Sequence, residues 1–298
     1  MLSILIPTYN YDTFQLVKEL HNQALKECFE FEIIVSDDAS FDEDVITRNK
    51  EILQLSNCKY YQNDKNVGRG PNRNNLCEKA NYDWILLLDS DNMPTSNLFV
   101  KKYIDCIKSK NGVAFSGGLQ YEDSKPNDDE ILRWIYGKKR EALPVERRQA
   151  KMYESSLVSN ILLKKQLLID HPFNSSIYDY GFEDFVFIAE LKKNNILITH
   201  LNNPVFHINL EKSDVFLEKH LTAINTLNQL IKQNIINADD THLSKAHKIL
   251  SRFRLISVTT LIFKTFESLL RKNLISNKPS LLLFDFYKLG YFCTLKDS

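Results

Sequence analysis

The sequence has 298 residues, with 38 Lys and Arg against 38 Asp and Glu, so its formal net charge at pH 7 is zero. A general nucleic-acid-binding protein usually carries a clear positive surplus, and the balanced charge therefore argues against that class. The balance is uneven along the chain, because residues 245–298 contain ten basic and three acidic side chains.

The five cysteines are scattered along the chain and include no C-x-x-C pair. Their distribution argues against a disulfide framework or a thiolate zinc site and favours a reducing compartment. The N-terminus lacks a basic segment and a long apolar run, so we expect no signal peptide. No stretch approaches the roughly 18–20 apolar residues that cross a bilayer. We therefore expect a cytoplasmic protein, either free or peripheral at the inner membrane face.

Short β-type runs alternate with segments of helical periodicity through the first half of the chain. The predicted strands cover residues 2–6, 31–35, 59–62 and 84–88. The predicted helices cover residues 13–28, 42–55, 71–81 and 96–109. Strands separated by helices of this length form parallel sheets with helices on both faces, so the sequence predicts an α/β fold.

The second half of the chain is less regular. Residues 120–155 are polar, dense in charge of both signs, and are predicted to form a long excursion with a helix around 128–136. Regular structure is expected to resume at 156–163, followed by a helix at 183–193 and a strand at 196–199. From about residue 214 the pattern is helical to the end.

Polar side chains follow three of the predicted strands. Pro7-Thr8-Tyr9-Asn10 ends the first strand, Asp37-Asp38 ends the second, and Asp89-Ser90-Asp91 ends the strand at 84–88. Ligands of open α/β sheets bind at the carboxyl ends of the strands, so we expect these clusters to form one site.

The carboxylates of Asp89 and Asp91 suit a divalent cation that bridges two phosphates, because Mg²⁺ and Mn²⁺ prefer carboxylate oxygens and keep positions open for substrate. The alternative is a turn in which these side chains only cap the following helix. One D-x-D triplet does not decide between the two, and Asp37-Asp38 at another strand end favours the site.

Five segments occur together in the order and spacing of a known family. They are SILIPTYN at 3–10, VSDDAS at 35–40, NVGRGPNRN at 66–74, LLLDSDN at 86–92 and GFED at 181–184. Over about residues 1–210 the chain thus resembles family 2 glycosyltransferases of the nucleotide-diphospho-sugar transferase (A-type) fold. YGKKRE at 136–141 and ERRQ at 146–149 further resemble a bacterial cell-surface polysaccharide subgroup.

The resemblance implies a single Rossmann-like catalytic domain with a mostly parallel central sheet, plus a C-terminal helical extension. The implied catalytic domain covers residues 1–212, with a nucleotide-sugar-binding half at 1–118 and an acceptor-side half at 119–212. The implied extension covers residues 213–298. One departure from the family pattern is the run Arg69-Gly70-Pro71-Asn72, where we expect a different backbone.

The resemblance also assigns the nucleotide site. Asp38 would accept a hydrogen bond from the uracil N–H, and Arg73 would lie near the diphosphate, where a guanidinium forks onto phosphate oxygens. The contact assigned to Asp38 favours a UDP-sugar as the donor. Thymine presents the same hydrogen-bonding edge as uracil, so a dTDP-sugar stays open. The complete set of implied nucleotide-binding residues is Pro7, Thr8, Tyr9, Asp38, Asn66, Gly68, Arg73, Asp89 and Ser90.

Glu183 and Asp184 follow a Gly-Phe pair and open a predicted helix. Carboxylates in a first helical turn are favoured by the helix dipole, so plain capping is one interpretation. The resemblance makes Asp184 the general base and Glu183 a ligand of the acceptor hydroxyl.

The metal is implied to be Mn²⁺ or Mg²⁺, held by Asp91 and by His207. The alternative for His207 is a satisfied core histidine, because it lies in the short apolar run PVFHINL. Ser159-Asn160 resembles a family position near the acceptor. Arg147-Arg148 and Lys138-Lys139-Arg140 are expected to be solvated, and the alternative is contact with an anionic acceptor.

The predicted function is an inverting, metal-dependent transfer of a sugar from a nucleotide-diphospho-sugar to a hydroxyl of a glycan or lipid-linked glycan, in surface polysaccharide synthesis. The alternatives are a non-catalytic sugar-nucleotide-binding or assembly subunit and, less favoured, a sugar-nucleotide pyrophosphorylase. The pyrophosphorylase would need a Gly-rich phosphate loop near the N-terminus, where this chain has IPTYN.

The basic segment 252–275 is amphipathic and lies outside the resemblance. The first interpretation is a helix that packs on the catalytic domain or in a homodimer. The second is a helix of the 245–298 region that lies in the membrane interface, held by apolar burial and by attraction to anionic lipid.

Overall fold

Residues 1–295 are described by the computed structural model of the chain, and within them the backbone forms ten strands and twelve α-helices. The strands are β1 (Leu2–Thr8), β2 (Phe31–Asp37), β3 (Cys58–Gln62), β4 (Trp84–Leu88), β5 (Asn92–Pro94), β6 (Ala114–Ser116), β7 (Leu119–Gln120), β8 (Asn160–Lys164), β9 (Thr199–His200) and β10 (Val205–His207).

The α-helices are α1 (Phe14–Ala24), α2 (Glu43–Lys50), α3 (Arg69–Lys79), α4 (Phe99–Ser109), α5 (Ile131–Tyr136), α6 (Val145–Ala150), α7 (Lys165–Asp170), α8 (Glu183–Lys193), α9 (Ser213–Lys232), α10 (His242–Arg252), α11 (Ile256–Leu274) and α12 (Leu281–Thr294). Two 3-10 helices cover Glu51–Gln54 and Asp128–Glu130, and a π-helical turn covers Gly137–Glu141.

The chain divides into two units. The first unit comprises residues 1–121, 140–178 and 183–209, and the second comprises residues 122–139, 179–182 and 210 onward. The second unit therefore includes two short segments from the middle of the chain besides the C-terminal helices. The domain boundary at residue 212 stays a prediction.

The first unit is built on a seven-stranded sheet of order β3-β2-β1-β4-β8-β6-β9. Strands β3, β2, β1 and β4 are parallel to one another, as the β-α alternation predicts. Strand β8 runs antiparallel to both β4 and β6. The mostly parallel α/β fold is confirmed, and β8 is the reversed strand. A second sheet of order β5-β10-β7 lies in the same unit.

The sheet of the first unit is covered by apolar side chains on both faces. The run of β4 is buried at all five positions, which is why it shows no alternation of apolar and polar residues. On one face, α1 contributes Leu16, Val17 and Leu20 to a core cluster with alternate residues of β1 and β2. On the other face, Leu76 of α3 and Phe187 of α8 belong to a second cluster.

The second unit is helical, with a core formed by α5, α9, α11 and α12. Its buried apolar side chains include Leu132, Phe216, Phe263, Leu274 and Phe284. The predicted C-terminal helical region is confirmed. Within residues 1–295 no helix combines the length and the hydropathy that a bilayer-spanning segment requires.

Candidate active site

Three strand ends meet at one edge of the large sheet. β1 pairs in parallel with β2, with Thr8 opposite Asp37, and also pairs in parallel with β4. The residues that follow these strands are therefore neighbours, and the predicted convergence at one edge is confirmed. Because β8 is reversed, its first residue, Asn160, lies opposite Leu88 at the same edge.

Asp38 fixes the segment that precedes α3. Its carboxylate, which is only 4% exposed, accepts hydrogen bonds from the backbone N–H groups of Val67 and Gly68, each at 2.9 Å. The Asn63 side-chain amide also donates to it at 2.9 Å. Asp38 thus holds the Asn66–Gly68 turn in place, and its contact with a uracil N–H stays a prediction.

The Asn66–Gly68 turn is shaped by its glycine. Gly68 has a φ of 90°, which a side-chain-bearing residue rarely adopts, and its N–H also donates to Asn66 Oδ1 at 3.2 Å. Asn66 in turn donates to the backbone oxygen of Asp38 at 3.1 Å. Two predicted nucleotide-site residues, Asn66 and Gly68, therefore lie beside Asp38, and α3 starts directly after them.

The end of β1 differs in exposure from residue to residue. Thr8 is buried, with its hydroxyl donating to the Tyr11 backbone oxygen at 3.0 Å, whereas the Tyr9 side chain is 48% exposed. Pro7 is half-buried within β1. The Asn10 N–H donates to Ser40 Oγ at 2.7 Å, and this bond ties the loop after β1 to the loop after β2. Tyr9 is thus the predicted base-site residue with the most surface available to a ligand.

A buried guanidinium joins three carboxylates in this region. Arg73 of α3 is 1% exposed, and it donates to Asp184 Oδ1 at 2.5 Å and to Asp89 Oδ1 at 2.8 Å. Glu183 Oε1 lies 3.9 Å from Arg73 Nη1. The Arg73 guanidinium also lies over the Phe173 ring, 5.3 Å from the ring centre, which is a cation–π contact.

The charges of this cluster act on its carboxyl groups in opposite directions. Burial favours the protonated form of Asp89, but the charges of Arg73, Arg69 and His207 and the hydrogen bond from Arg73 together outweigh it and hold the pKa of Asp89 below its usual range. Burial raises the pKa of Asp184 to about 7; Arg73 opposes this shift, whereas Glu183 and Asp89 reinforce it. Of these two carboxyl groups, Asp184 therefore keeps its proton to the higher pH.

Asp184 combines this raised pKa with access to solvent. Its side chain is 37% exposed, whereas that of Glu183 is 7% exposed. A general base works best when its pKa is near the operating pH, and it must reach the proton that it removes. Of the two predicted carboxylates, Asp184 therefore has the better arrangement for a base.

The backbone before this pair is unusual. Gly181 and Phe182 both have positive φ values, 100° and 68° respectively. A bulky residue such as Phe182 rarely adopts that conformation, and such strain often accompanies functional sites. The strained Gly-Phe pair thus immediately precedes the two carboxylates that open α8 in the sequence.

Asp91 and His207 face each other at the same edge. Asp91 Oδ2 lies 3.5 Å from His207 Nε2, and His207 stacks on Tyr121 with ring centres 5.6 Å apart. The Ile208 N–H donates to the Asp91 backbone oxygen at 2.9 Å, which fixes the two segments to each other. Ser90, between Asp89 and Asp91, is half-buried.

These two side chains fit a divalent cation as a partial ligand set. Two ligand atoms that share one cation at about 2.1 Å lie roughly 3.0–3.4 Å apart, close to the observed separation of the Asp91 and His207 atoms. Within residues 1–295, however, no group of three His, Cys, Asp or Glu side chains gathers as a metal site. A cation held here would need further ligands from substrate oxygens or water.

Asn160 lies in the interior of the first unit, and its place near the acceptor stays a prediction. It is fully buried, and Tyr103 Oη donates to its Oδ1 at 2.6 Å. Its amide donates to the backbone oxygens of Gly118 and Asn203, at 2.9 Å and 3.0 Å. Asn160 therefore ties together the loops that contain Gly118 and Asn203. The backbone oxygen of its neighbour Ser159 accepts a hydrogen bond from the Asp89 N–H at 3.1 Å.

Arg148 corrects an expectation. Arg147 is exposed as predicted, but Arg148 is 4% exposed. Its guanidinium donates to the backbone oxygens of Ser116, Gly117 and Leu201 and to His200 Nδ1, at 3.3, 3.2, 2.7 and 2.9 Å. Burial and the Arg148 charge both lower the pKa of His200. The burial of one member of an Arg-Arg pair depends on the tertiary fold, and the sequence does not reveal it.

The profile of the family described as "Glycosyl transferase family 2" matches residues 3–171, more than half of the chain. The chain belongs to glycosyl transferase family 2. The match includes the three converging strand ends, Arg73 and β8, and it ends before Asp184 and His207.

Two relatives of this family 2 chain carry names that describe their activity. It is 33% identical over 126 residues to chondroitin synthase of Escherichia coli, covering 41% of this chain and 18% of that protein. It is 27% identical over 222 residues to the GalNAc(5)-diNAcBac-PP-undecaprenol beta-1,3-glucosyltransferase of Campylobacter jejuni, covering 64% of this chain and 68% of that protein. The aligned part thus spans less than a fifth of the chondroitin synthase.

A similar structure is the mannosyltransferase of Pyrobaculum calidifontis in complex with GDP-Man and Mn²⁺. It superposes with a TM-score of 0.53 at 13% identity, covering 78% of this chain and 64% of that one. At this level of identity, the likeness to this family 2 chain concerns the fold.

Proposed function

We propose that this family 2 chain is an inverting glycosyltransferase that moves a sugar from a nucleotide-diphospho-sugar to a hydroxyl group. The observation that supports the proposal most is Asp184. It is a partly exposed carboxylate with a pKa raised to about 7, and Arg73 joins it to Asp89 at the edge where the strand ends meet. This arrangement provides a base beside a polar ligand site.

The proposed donor site lies between β1, β2 and α3. Tyr9 provides an exposed aromatic face for the nucleobase of the donor, and Asp38 orders the backbone of Asn66 and Gly68 nearby. Pro7 and Thr8 complete the wall on the β1 side. A UDP-sugar is favoured over a dTDP-sugar only by the resemblance that assigns the uracil contact to Asp38.

The proposed cofactor is Mn²⁺ or Mg²⁺, held by Asp91 and His207. Their facing side chains, 3.5 Å apart, support this assignment, and the fold neighbour from Pyrobaculum calidifontis is described in complex with Mn²⁺. When bound, such a cation supplies a positive charge that stabilises the departing diphosphate. Ser90 and Asp89 are assigned to the nucleotide by the resemblance.

Asp184 would remove the proton of the acceptor hydroxyl as the oxygen attacks the anomeric carbon. Attack from the side opposite the leaving group inverts the configuration at that carbon. Because a nucleoside diphosphate leaves without a proton from the protein, one base is sufficient, in contrast to the two carboxyl groups of glycosidases. Arg73 would also position Asp184 through its 2.5 Å hydrogen bond, and its contact with the diphosphate, which the resemblance implies, stays a prediction.

The proposed acceptor is a glycan or a lipid-linked glycan in bacterial surface polysaccharide synthesis. The names of the two relatives support it, since one is a chondroitin synthase and the other acts on a PP-undecaprenol glycan. A cytoplasmic location and a homodimer stay predictions.

A screen of sugar nucleotides tests the proposal. Thermal shift with UDP-, dTDP- and GDP-sugars, with and without Mn²⁺, would first identify the donor. Release of the nucleoside diphosphate from that donor, with and without oligosaccharide acceptors, would then measure catalysis. Binding of a donor without any hydrolysis or transfer would favour a non-catalytic sugar-nucleotide-binding or assembly subunit. Formation of pyrophosphate from a nucleoside triphosphate and a sugar phosphate would favour a pyrophosphorylase.

A further inference from the structure

Helix α11 has two apolar faces, and only one of them is used inside its own unit. Phe263, Leu270 and Leu274 belong to the core of the second unit. Five other apolar residues of the helix are between 43% and 67% exposed, and together they form what we call the α11 outer face: Val258, Leu261, Ile262, Phe266 and Leu269.

Helix geometry puts these five residues on one side. At 100° per residue they fall within an arc of about 140°, and the centre of that arc lies about 130° from the centre of the buried stripe. The apolar surface continues at the start of the helix, where Phe253 is 67% exposed and Leu255 is 43% exposed. A contiguous exposed apolar surface of this kind commonly marks an interaction site.

The charges around the α11 outer face are of one sign. Arg252 and Arg254 are exposed immediately before it, and Lys272 is exposed at its far end. The carboxylate of α11, Glu267, projects roughly 160° away from the centre of the face. Between residues 245 and 278 the sequence contains eight Lys and Arg and one Glu.

This combination of charge and apolar surface favours one occupant over the others. In a symmetric pairing of two copies, Arg252, Arg254 and Lys272 would appear twice at the interface, with Glu267 of each copy turned away. Anionic lipid headgroups neutralise such cations, while the acyl region accepts the apolar side chains. We propose that the α11 outer face docks on an anionic lipid surface, with α11 lying in the plane of the interface.

The proposal does not depend on sugar transfer. It concerns residues of the second unit, whereas the proposed donor, metal and base residues lie in the first. Failure of one can therefore be told from failure of the other, since lipid binding can be measured without any donor or acceptor.

The test uses flotation of the full-length protein with vesicles of phosphatidylcholine alone or mixed with phosphatidylglycerol. The face variant is Leu261→Gln/Phe266→Gln/Leu269→Gln. Its matched control, Leu53→Gln/Ile169→Gln/Leu197→Gln, removes three leucine or isoleucine side chains of 53–65% exposure from the first unit. Thermal unfolding of each variant, with and without nucleotide, checks that the fold is kept.

We expect the wild type and the control to float with the anionic vesicles at low salt and to bind much less to phosphatidylcholine alone. The face variant should bind at least about tenfold more weakly, because apolar burial supplies much of the membrane affinity of interfacial helices. Salt at about 1 M should release the wild type, since it shortens the Debye length to about 3 Å.

A charge variant separates the electrostatic part. Arg252→Gln/Lys272→Gln should bind anionic vesicles about 30-fold more weakly, which corresponds to about 1 kcal/mol for each basic residue. Its control is Lys18→Gln/Lys50→Gln, two exposed lysines of α1 and α2. That control should bind as the wild type does.

Three results would overturn the proposal. The wild type could fail to float with anionic vesicles at low salt, or the face variant could float as well as its control. In the third, light scattering would find a dimer that the face variant converts to a monomer, with no flotation of either form. That last result would assign the α11 outer face to a second copy of the chain.

Discussion

Nη1 of Arg73 and Oδ1 of Asp184 are 2.5 Å apart, although 111 residues separate the two in the sequence. The same guanidinium holds Asp89, so one buried cation orients a carboxylate from β4's end and another from the start of α8. Arg73 therefore links the strand-end site to the proposed base.

Arg73→Met should lower the free energy of unfolding by about 3 kcal/mol or more, because removing one partner of a buried ion pair leaves the other charges uncompensated. Urea denaturation would measure it. Lys79→Met, an exposed lysine of the same helix, is the matched control and should change stability by less than about 0.5 kcal/mol. Equal effects of the two substitutions would show that the Arg73 cluster does not stabilise the fold.

Asp184→Asn should reduce kcat by about 10²-fold or more while leaving the affinity for the donor unchanged, because only proton removal is lost. Glu183→Gln should retain more activity, since Glu183 is largely buried and farther from Arg73. Donor affinity by calorimetry and transfer rate by product analysis are the two measurements. An inactive Glu183→Gln beside an active Asp184→Asn would reverse the two roles.

The rate should also depend on pH in a defined direction. Because burial raises the pKa of Asp184 to about 7, kcat/KM should fall roughly tenfold per pH unit below that value. Glu183 raises this pKa further, so Glu183→Gln should move the midpoint to lower pH. Glu190→Gln, on the exposed side of the same helix, should leave it in place. An upward shift in Glu183→Gln would contradict the arrangement of charges.

Catalysis requires deprotonated Asp184, whereas the folded state is more stable when Asp184 is protonated. A carboxyl group whose pKa is raised in the folded state stabilises the fold most when it is protonated. The contribution of Asp184 to the free energy of unfolding should therefore decline as the pH rises from about 4 to about 7. Asp184→Asn should remove this decline.

Tyr121 should affect the affinity for metal without touching the metal itself. It stacks on His207, so Tyr121→Leu should free the imidazole and weaken Mn²⁺ binding by about tenfold, whereas Asp91→Ala should abolish Mn²⁺-dependent nucleotide binding. Calorimetric titration with Mn²⁺ and UDP provides a measurement independent of catalysis. Unchanged affinity in Asp91→Ala would remove that residue from the site.

Arg148 is buried and its neighbour Arg147 is exposed, so substitutions of the two show how much the buried arginine contributes to stability. Arg148→Gln leaves the oxygens of Ser116, Gly117 and Leu201 without this donor, and it should lower the free energy of unfolding by about 2–3 kcal/mol. Arg147→Gln, at an exposed position, should be within about 0.5 kcal/mol of the wild type. Similar stability of the two variants would mean that Arg148 is dispensable for these loops.

The first four strands were predictable because each is a local apolar run with a clear end. The strand predicted at 84–88 has the same bounds as β4. The predicted bounds of β1, β2 and β3 differ from the observed bounds by one or two residues at one end. Helix α3 starts two residues earlier than predicted, since Pro71 is tolerated in a first turn. The strands of two or three residues, such as β6 and β7, are too short to give a period.

The polar residues of the site were predictable as strand ends, but their mutual contacts were not. The resemblance predicts that Asp38 binds the nucleobase. In the fold, its carboxylate also accepts hydrogen bonds from the backbone N–H groups of Val67 and Gly68. The sequence predicts a solvated Arg148, but Arg148 is buried, and so is Asn160, each in a network of hydrogen bonds. Such burial depends on segments that are distant in sequence, which periodicity and motif spacing do not describe.

The reversed strand β8 determines when the large sheet can form during synthesis and where the chain can be truncated. Residues 160–164 pair with β4 on one side and with β6 on the other, so the strands of the first 118 residues form a complete sheet only after residue 164 has been made. A nascent chain that stops earlier exposes the edge of β4, whose five residues are all buried in the finished fold. Such an edge readily pairs with other chains. Residues 1–118 expressed alone should therefore aggregate, whatever nucleotide-binding groups they carry.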